Sequence, residues 1–382
     1  MFADRFMKAK LGDYIREYSV RNKTNEDIPV YSVTNSQGFC KDYFGKEVAS
    51  KNKSTYKIVP KGCFAYNPSR INVGSVDWQR NEEKVIVSPL YNVFSVSSDL
   101  DNQYLYYFLK SDIALCLIKN IATGSVRDNL KLSMLYEFPI NLPNIERQKE
   151  IVSTLDKLQS IITHIRTQLE KLDLLVKARF VEMFGDPVSN PYNWEKISLG
   201  KLAEIKIGPF GSLLHKEDYV HNNHALINPS HIINSKVFAD MKLTVSDEKY
   251  EELRAYQLFT GDVVMGRRGE MGRCAVITEN GLLCGTGSMI IRTNGRLKAD
   301  YIQKIISFPS FKKTIEDMAV GQTMPNLNVP IVSKFMIICP PIEVQEQYYS
   351  FIEKTDKSKV AMQKELGKAQ TLFDSLMQEY FG

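Results

Sequence analysis

The strongest structural signal in the chain lies in residues 142–185, which read LPNIERQKEIVSTLDKLQSIITHIRTQLEKLDLLVKARFVEMFG. From Ile151 onward, apolar residues recur at alternating spacings of four and three, which is the heptad seam of a coiled coil. We predict a seam made of Ile151, Leu155, Leu158, Ile162, Ile165, Leu169, Leu172 and Val176. Pro143 precedes this segment and Gly185-Asp186-Pro187 follows it, as helix start and stop signals do. A helix of roughly 38 residues, at ~1.5 Å per residue, would be about 57 Å long.

The same plan occurs twice in the chain. A shift of 197 residues places residues 122–185 over 319–382 without a gap, with 18 identities in 64 positions. Thr355 and Lys359 take the positions of Leu158 and Ile162, and the second seam is otherwise apolar, with Tyr348, Ile352, Met362, Leu366, Ala369 and Phe373. We therefore predict an internal pseudo-two-fold repeat whose two helices pair with each other. The alternative is two long surface helices, each packed on its own globular core.

The regions before the helices match less well and are typical of an α/β (α+β) fold. Short β-rich runs at residues 84–87, 91–96 and 288–292 are separated by Gly, Pro and Asn turns, and residues 104–119 and 300–318 have helical patterns. We predict globular regions at 1–145 and 190–341, a central helix at 146–185 and a final helix at 342–382.

Composition and charge limit the class of protein. The 382 residues are 43% hydrophobic and 24% charged, which excludes collagenous and mostly disordered chains. The formal net charge is +5, and the excess lies in the globular regions, at +4 for residues 1–145 and +3 for residues 190–341. This mild excess is not that of a histone-like protein, and by itself it is weak evidence for a nucleic-acid partner.

Cysteine spacing and hydropathy indicate the compartment. The six cysteines are far apart and form no CxxC, which predicts reduced thiols rather than a disulfide scaffold or a zinc ribbon. No apolar run approaches the ~18 residues of a membrane span, and the first ten residues lack the apolar core of a signal peptide. We expect a cytoplasmic protein.

Two loops carry residue types that suit a DNA groove. Residues 261–273, GDVVMGRRGEMGR, combine glycines, which allow close backbone approach, with arginines, whose planar fork fits guanine or phosphate. Residues 61–72 mix Tyr, Asn and Arg in the first half. The predicted DNA-binding residues are Lys61, Tyr66, Asn67, Arg70, Asn72, Ser125, Arg127, Ser212, His215, Lys216, Arg267, Arg268, Arg273, Gln322 and Asn326. The alternative for either loop is an ordinary solvated turn.

Catalytic and metal signatures are weak. The chain contains no P-loop motif, no nuclease-like carboxylate spacing and no glycine-rich S-adenosylmethionine loop after a strand. Asn67-Pro68-Ser69 and Asn228-Pro229-Ser230 lack the second proline and the aromatic residue of amino-methyltransferases. Four histidines cluster between residues 215 and 231, but no carboxylate or cysteine joins them at a compelling spacing. We predict no catalytic residue, no metal site and no cofactor in this chain.

The order of these features resembles the specificity subunit of type I restriction-modification systems. The shared motifs are the two helix starts at residues 143–148 and 340–345, the helix end at 179–187, GPFGS at 208–212 and GDVV at 261–264. Each motif is short, but together they are duplicated in a fixed order along essentially the whole chain. The first half lacks a clear equivalent of GPFGS.

The resemblance implies two target-recognition domains, each reading one half of a split double-stranded DNA site. It also implies an antiparallel pairing of the two helices that separates these domains. Two methyltransferase (modification) subunits and, optionally, two restriction subunits would dock on the chain. The partners would supply S-adenosylmethionine, ATP and Mg²⁺, and the chain would have no active site and no membrane association.

Three other hypotheses remain open at this point. The same kind of subunit could serve a fused modification enzyme or one outside type I. A protein of another class, a coiled-coil scaffold with protein-binding globular domains, has the same helix pattern. A metal-dependent nuclease would use the cluster from His215 to His231.

Overall fold

A computed structural model describes residues 7–41, 52–122, 129–270, 272–319 and 326–382. The chain divides into two compact units, of which unit 1 comprises Met1–Glu170 with Lys359–Gly382 and unit 2 comprises Lys171–Ser358. Each unit therefore contains one globular region and a segment of both long helices. The fourfold division of the chain by residue number stays a prediction.

In the described residues of unit 1, nine short strands precede the first α-helix. Its elements are β1 (Met7–Lys10), β2 (Ile15–Glu17), β3 (Ser32–Thr34), β4 (Gly38–Cys40), β5 (Lys57–Pro60), β6 (Phe64–Tyr66), β7 (Val76–Trp78), β8 (Lys84–Val87), β9 (Asn92–Val96), α1 (Asn102–Lys110), α2 (Asp112–Ala122), α3 (Leu132–Tyr136), β10 (Pro139–Leu142) and the first part of α4 (Ile145–Phe184). Four strands form an antiparallel sheet in the order β2-β9-β6-β7, and β1 with β10, β3 with β4, and β5 with β8 form two-stranded ladders.

Unit 2 repeats this arrangement with additional short strands. Its elements are the end of α4, β11 (Glu195–Ser198), α5 (Leu199–Leu202), β12 (Ala203–Ile207), β13 (Tyr219–Val220), β14 (His224–Ile227), β15 (Ile232–Ile233), β16 (Lys236–Val237), β17 (Thr244–Val245), α6 (Asp247–Glu252), β18 (Gln257–Leu258), β19 (Val263–Gly266), β20 (Cys274–Val276), β21 (Leu282–Cys284), β22 (Ser288–Thr293), α7 (Ala299–Ile306), α8 (Pro309–Met318), α9 (Val329–Ser333), β23 (Met336–Cys339) and the start of α10 (Ile342–Phe381). The central sheet has the order β12-β22-β19-β20.

The repeat seen in the sequence is confirmed in the fold. The sheet order β12-β22-β19-β20 reproduces β2-β9-β6-β7, and the ladder of β11 with β23 reproduces that of β1 with β10. The elements α7, α8, α9, β23 and α10 each begin 197 residues after α1, α2, α3, β10 and α4. The predicted α/β class, with two tandem domains and two long helices, is confirmed.

Each unit is built around one main apolar core that includes helix residues. In unit 1, Ile151 and Leu155 of α4 and Phe381 of α10 are buried with side chains of α1, α2 and the central sheet. In unit 2, Phe180 and Phe184 of α4 pack with Tyr301 of α7 and Tyr348 of α10 at ring-centroid distances of 5.0–6.0 Å. The helix segments are therefore integral parts of both cores.

Within each unit the two helix segments run antiparallel. In unit 1, the Arg166 guanidinium donates to the Gln370 side-chain oxygen at 3.2 Å. In unit 2, Arg179 lies 5.9 Å from the ring centre of Phe351. Every predicted seam position is buried or half-buried, whereas most neighbouring helix positions are exposed. The prediction that the helices pair is therefore supported, and Thr355 is accommodated because its hydroxyl donates to the Phe351 carbonyl oxygen of its own helix.

Candidate nucleic-acid interface

The arginine-rich loop of unit 2 meets a second loop that is distant in sequence. Arg267 and Arg268 follow β19 directly, and the Arg267 Nε donates to the Asn326 side-chain oxygen at 3.1 Å. The Leu327 N–H donates to the Arg267 carbonyl oxygen at 3.0 Å, and Arg268 pairs with Asn326 in an isolated β-bridge. Three of the predicted DNA-binding residues are thus brought together at one end of the central sheet.

The electrostatics of this loop favour an anionic partner. Burial and the neighbouring Arg268 cation lower the pKa of the Arg267 guanidinium. The two adjacent cations repel each other, and Arg268 and Gly269 are exposed. A phosphate or a guanine edge would relieve that repulsion and accept from the N–H groups of the exposed Arg268 side chain.

Glycines bring several loops of unit 2 into close approach beside this site. A Cβ on Gly208 would lie 2.1 Å from the Gly285 carbonyl oxygen, and a Cβ on Gly285 would lie 2.2 Å from the Asn228 side-chain oxygen. A Cβ on Gly266 would come within 3.1 Å of the Pro229 Cβ. The GPFGS motif and the Asn228-Pro229 turn are therefore tied by backbone packing to the strand that carries Arg267.

Unit 1 presents the equivalent pair of loops. The Leu130 N–H donates to the Pro68 carbonyl oxygen at 3.2 Å, at the position where Leu327 donates to Arg267. The Ser69 hydroxyl donates to the Asn129 side-chain oxygen at 2.6 Å, as Arg267 donates to Asn326. Ser69 and Asn129 are candidate interface residues that sequence reasoning missed. Their signal was available, because Asn129 aligns with Asn326 in the 197-residue shift.

Tyr66 is a correction to the predicted site. Its side chain is fully buried, and its hydroxyl donates to the Leu130 carbonyl oxygen at 3.0 Å and accepts from Asn92 at 2.8 Å. Burial raises the pKa of this phenol. Tyr66 therefore positions the loop that contains Asn129 and does not contact DNA in this conformation.

Some of the other predicted residues lie away from these loops. Lys61 precedes β6 whereas Asn67 follows it, so Lys61 is at the opposite end of the strand.

The other predicted residues near β6 follow the strand. Asn67 is half-buried and its side-chain oxygen accepts from the Ser69 N–H, while Arg70 is exposed and Asn72 is half-buried in the following turn. The Arg273 guanidinium donates to Glu270 and to the Pro229 carbonyl oxygen, and its predicted DNA contact stays a prediction.

The remaining predicted contacts are exposed or not described. His215 and Lys216 are exposed on a short turn, where the His215 N–H donates to Asp218 at 2.6 Å. Ser125, Arg127 and Gln322 lie outside the described residues, as does the side chain of Ser212. The DNA contacts of all these residues stay predictions.

The histidines are engaged in local contacts. His224 stacks on Tyr250 with ring centroids 3.7 Å apart and contacts Asp247 at 3.0 Å, and His231 Nδ1 lies 2.9 Å from the Leu226 carbonyl oxygen. Among the described residues, no group of three or more His, Cys, Asp or Glu side chains could hold a metal ion. All six cysteines are free thiols, and burial raises the pKa of Cys274 to about 11.

No helix in the described part of the chain combines the length and the apolar character that a membrane crossing requires.

Comparison with known proteins identifies the family. The type I restriction modification DNA specificity domain matches residues 8–173 and again 191–369. The type I restriction enzyme MjaIX specificity subunit of Methanocaldococcus jannaschii is 23% identical over 348 residues, which cover 84% of this chain and 77% of that protein. The MjaVIII specificity subunit of the same organism is 19% identical over 291 residues, covering 71% and 67%.

Solved structures share the fold over nearly the whole chain. A chain from a study of complex assembly and conformational transition in a type I R-M system has a TM-score of 0.63 at 16% identity and covers 98% of this chain and 97% of its own. The type I restriction-modification S subunit from M. genitalium has a TM-score of 0.56 at 14% identity, with 100% and 97% covered. With two copies of the specificity domain in two units of the same sheet order, this chain belongs to the type I restriction-modification DNA specificity family.

Proposed function

We propose that this chain recognises a bipartite double-stranded DNA sequence, with one half-site read by each unit. The observation that carries the proposal is the pair of equivalent loop clusters, Arg267 with Asn326 in unit 2 and Ser69 with Asn129 in unit 1. Each cluster joins the end of a central strand to the loop just before α3 or α9. Because the polar and charged side chains differ between the two clusters, the two half-sites differ in sequence.

We further propose that the long helices α4 and α10 bind the partner subunits of a restriction-modification complex. These helices lie in the part of the chain where the sequence repeat matches best, so they suit a task that is the same in both halves. Leu175 and Leu372 occupy equivalent positions and leave 48% and 51% of their surfaces exposed. Exposed apolar residues at matched helix positions are typical of a protein-binding surface. Two methyltransferase subunits and, optionally, two restriction subunits would bind there.

The chemistry of the complex would lie in those partners. Methyl transfer needs S-adenosylmethionine, and ATP-driven restriction needs ATP and Mg²⁺, so we assign these groups to the partner subunits. This chain would act as a non-catalytic DNA-recognition subunit. It would work in the cytoplasm, where it meets its DNA.

The test is DNA binding and methylation by the assembled complex. The full chain is co-expressed with the methyltransferase subunit of its system, and methylated positions are mapped on a plasmid library. We expect one asymmetric split site in the methylated library. When Arg267 and Arg268 are both replaced by Ala, we expect recognition of one half-site to be lost or relaxed and recognition of the other to stay unchanged. The matched control is Arg296→Ala, an exposed arginine of unit 2 that follows β22 at the opposite end of the central sheet. Methylation that ignores sequence, or a complex that does not assemble, would contradict the proposal.

A further inference from the structure

Unit 2 contains a cavity that is separate from the loops assigned to DNA. Its volume is about 680 Å³, within the range of small-molecule sites, which is roughly 300–1,000 Å³. Val176 and Phe180 of α4 form one side, Phe308 and Pro309 at the start of α8 form another, and Ile233 of the β15–β16 hairpin forms the edge. Ile233 is 49% exposed, so the cavity is open to solvent at the hairpin.

The repeat supplies an internal comparison, because the equivalent place in unit 1 is almost filled. The cavity there measures about 100 Å³ and is lined by the counterparts of the same helix positions, among them Phe373, Asp374 and Lys110. Phe373 replaces Val176 and packs edge-on against Tyr107 at 6.1 Å. The Lys110 amine reaches across to the carbonyl oxygens of Asn35, in the β3–β4 turn, and Gly74.

Side chains at four matched positions explain why only unit 2 stays open. At positions matched by the 197-residue shift, unit 1 has Phe373, Tyr106, Tyr107 and Lys110 where unit 2 has Val176, Gln303, Lys304 and Ser307. At these four positions unit 2 therefore lacks three aromatic rings and the amine that, in unit 1, contacts the β3–β4 turn. The surrounding backbone is retained, because α7 and α8 begin 197 residues after α1 and α2. The two units therefore share the backbone frame of this place, and the larger cavity lies in unit 2.

The lining of the open cavity is apolar at its base and cationic around it. Four cations line it, Lys177, Arg273, Lys304 and Lys312, with one carboxylate, Glu270. The Glu270 carboxylate forms ion pairs with two of these cations, Arg273 at 2.5 Å and Lys312 at 3.2 Å. The lining thus has a formal net charge of +3, whereas Asp374 replaces Lys177 in unit 1.

Two polar groups belong to the inner wall. The Cys274 thiol lies 3.3 Å from the Ser307 hydroxyl. Tyr348 is fully buried, and its hydroxyl has no hydrogen-bond partner among the described residues. In unit 1 the position of Tyr348 is held by the apolar Ile151.

We propose that this cavity of unit 2 binds a small molecule with a flat aromatic body and one anionic group. The aromatic body packs against Val176 and Phe308, and the anion lies beside Lys177 and Lys312. A carboxylate and a phosphate share this chemistry, so the experiment separates them. The proposal does not depend on the proposed DNA recognition.

The probe is 1-anilinonaphthalene-8-sulfonate, an aromatic sulfonate whose fluorescence rises in apolar surroundings, titrated into the full chain. We expect saturable binding at one site per chain, with much weaker binding of the uncharged analogue N-phenyl-1-naphthylamine. Displacement by 2-naphthoate would identify the ligand group as a carboxylate, and displacement by adenosine monophosphate would identify it as a phosphate. If neither compound displaces the probe, the proposal is overturned.

Variants taken from unit 1 locate the site. Val176→Phe, which restores the residue found at the matched position, should abolish the saturable binding, and Ser307→Lys should do so independently if the first variant fails to fold. Lys312→Gln should weaken probe binding about tenfold through loss of one charged contact. Leu174→Phe, at a position of the same helix that is 62% exposed and does not line the cavity, is the matched control and should leave probe binding unchanged. Equal probe binding by the wild type, Val176→Phe and Ser307→Lys would overturn the assignment.

Discussion

Gln148 holds the start of the central helix to the backbone of Asp101, whose N–H donates to the Gln148 side-chain oxygen at 2.8 Å. The amide nitrogen of Gln148 donates in turn to the carbonyl oxygens of Asp99 and Pro143, each at 2.9 Å. Asp101 is also the N-cap of α1, since its carboxylate accepts from the Gln103 and Tyr104 N–H groups. One buried side chain thus fixes two helix starts to each other.

The equivalent glutamine makes fewer contacts, which gives a matched prediction. Gln345 donates to the Pro340 carbonyl oxygen at 2.9 Å, and its side-chain oxygen has no partner among the described residues. Gln148→Ala should lower the free energy of unfolding of unit 1 by about 2–3 kcal/mol, since it removes three hydrogen bonds and strands buried groups. Gln345→Ala should cost about 1 kcal/mol or less. Urea unfolding of the full chain measures both values, and equal losses would contradict the role given to Asp101.

Two adjacent isoleucines of α4 test the helix pairing. Ile162 is 1% exposed in the seam, whereas Ile161 is 49% exposed. Ile162→Ala should lower the free energy of unfolding by about 2–4 kcal/mol, because it leaves a cavity between the helices. Ile161→Ala should stay within about 0.5 kcal/mol of the wild type, as surface substitutions do. Thermal and urea unfolding would show the difference, and similar values for the two variants would mean that the helices do not pair through this seam.

The ion pair between Asp262 and Arg292 is specific to unit 2. Arg292 donates to both carboxylate oxygens of Asp262, at 2.8 and 2.6 Å, and Asp262 is almost completely buried. Hydrogen bonding from and attraction to Asp262 raise the pKa of the Arg292 guanidinium. The matched strand positions of unit 1 carry Cys63 and Ser95, as the pairing registers show.

Replacing Arg292 alone should lower the free energy of unfolding more than replacing Asp262 and Arg292 together. Arg292→Ser should destabilise unit 2 by about 2 kcal/mol, less than the ~3–5 kcal/mol of fully buried pairs, because 38% of the Arg292 side chain is exposed. The double variant with Asp262→Cys and Arg292→Ser reproduces the unit 1 pair and should recover much of that loss. A double-mutant cycle by urea unfolding measures the coupling, and additive losses would show that the carboxylate is stable without its partner.

The arginine loop predicts a contrast between Arg268 and Arg273. In the assembled complex, Arg268→Ala should weaken DNA binding by about 1–3 kcal/mol if it reads a base, and should relax one position of the site. A phosphate contact would instead weaken binding uniformly and lower the salt dependence. Arg273→Ala should leave the recognised sequence unchanged, because its guanidinium is occupied by Glu270 and Pro229. Fluorescence anisotropy at several salt concentrations distinguishes these outcomes, and equal effects of the two variants would remove the distinction.

Periodicity made the helices predictable, and long-range side-chain contacts limited the prediction of the site. The seam from Ile151 to Val176 follows from spacing alone, and the structure finds all of its positions at least half-buried. Tyr66 was misassigned because a buried tyrosine and a groove-reading tyrosine have the same local sequence. Whether the hydroxyl meets solvent depends on Leu130, 64 residues away. Ser69 was missed because its partner Asn129 lies 60 residues away, although the alignment of Asn129 with Asn326 marked that second loop.

The participation of α10 in unit 1 has a consequence for biosynthesis. The core of unit 1 includes Phe373 and Phe381, and Phe381 lies 5.0 Å from Tyr104 between ring centres. Residues 1–170 are synthesised long before Phe373 and Phe381. Until those residues leave the ribosome, part of the apolar core of the first globular region stays exposed to solvent. Unit 2, which ends at Ser358, can close earlier. The order of folding is therefore reversed relative to the order of synthesis, and the nascent first half is the stage at which a chaperone would be needed.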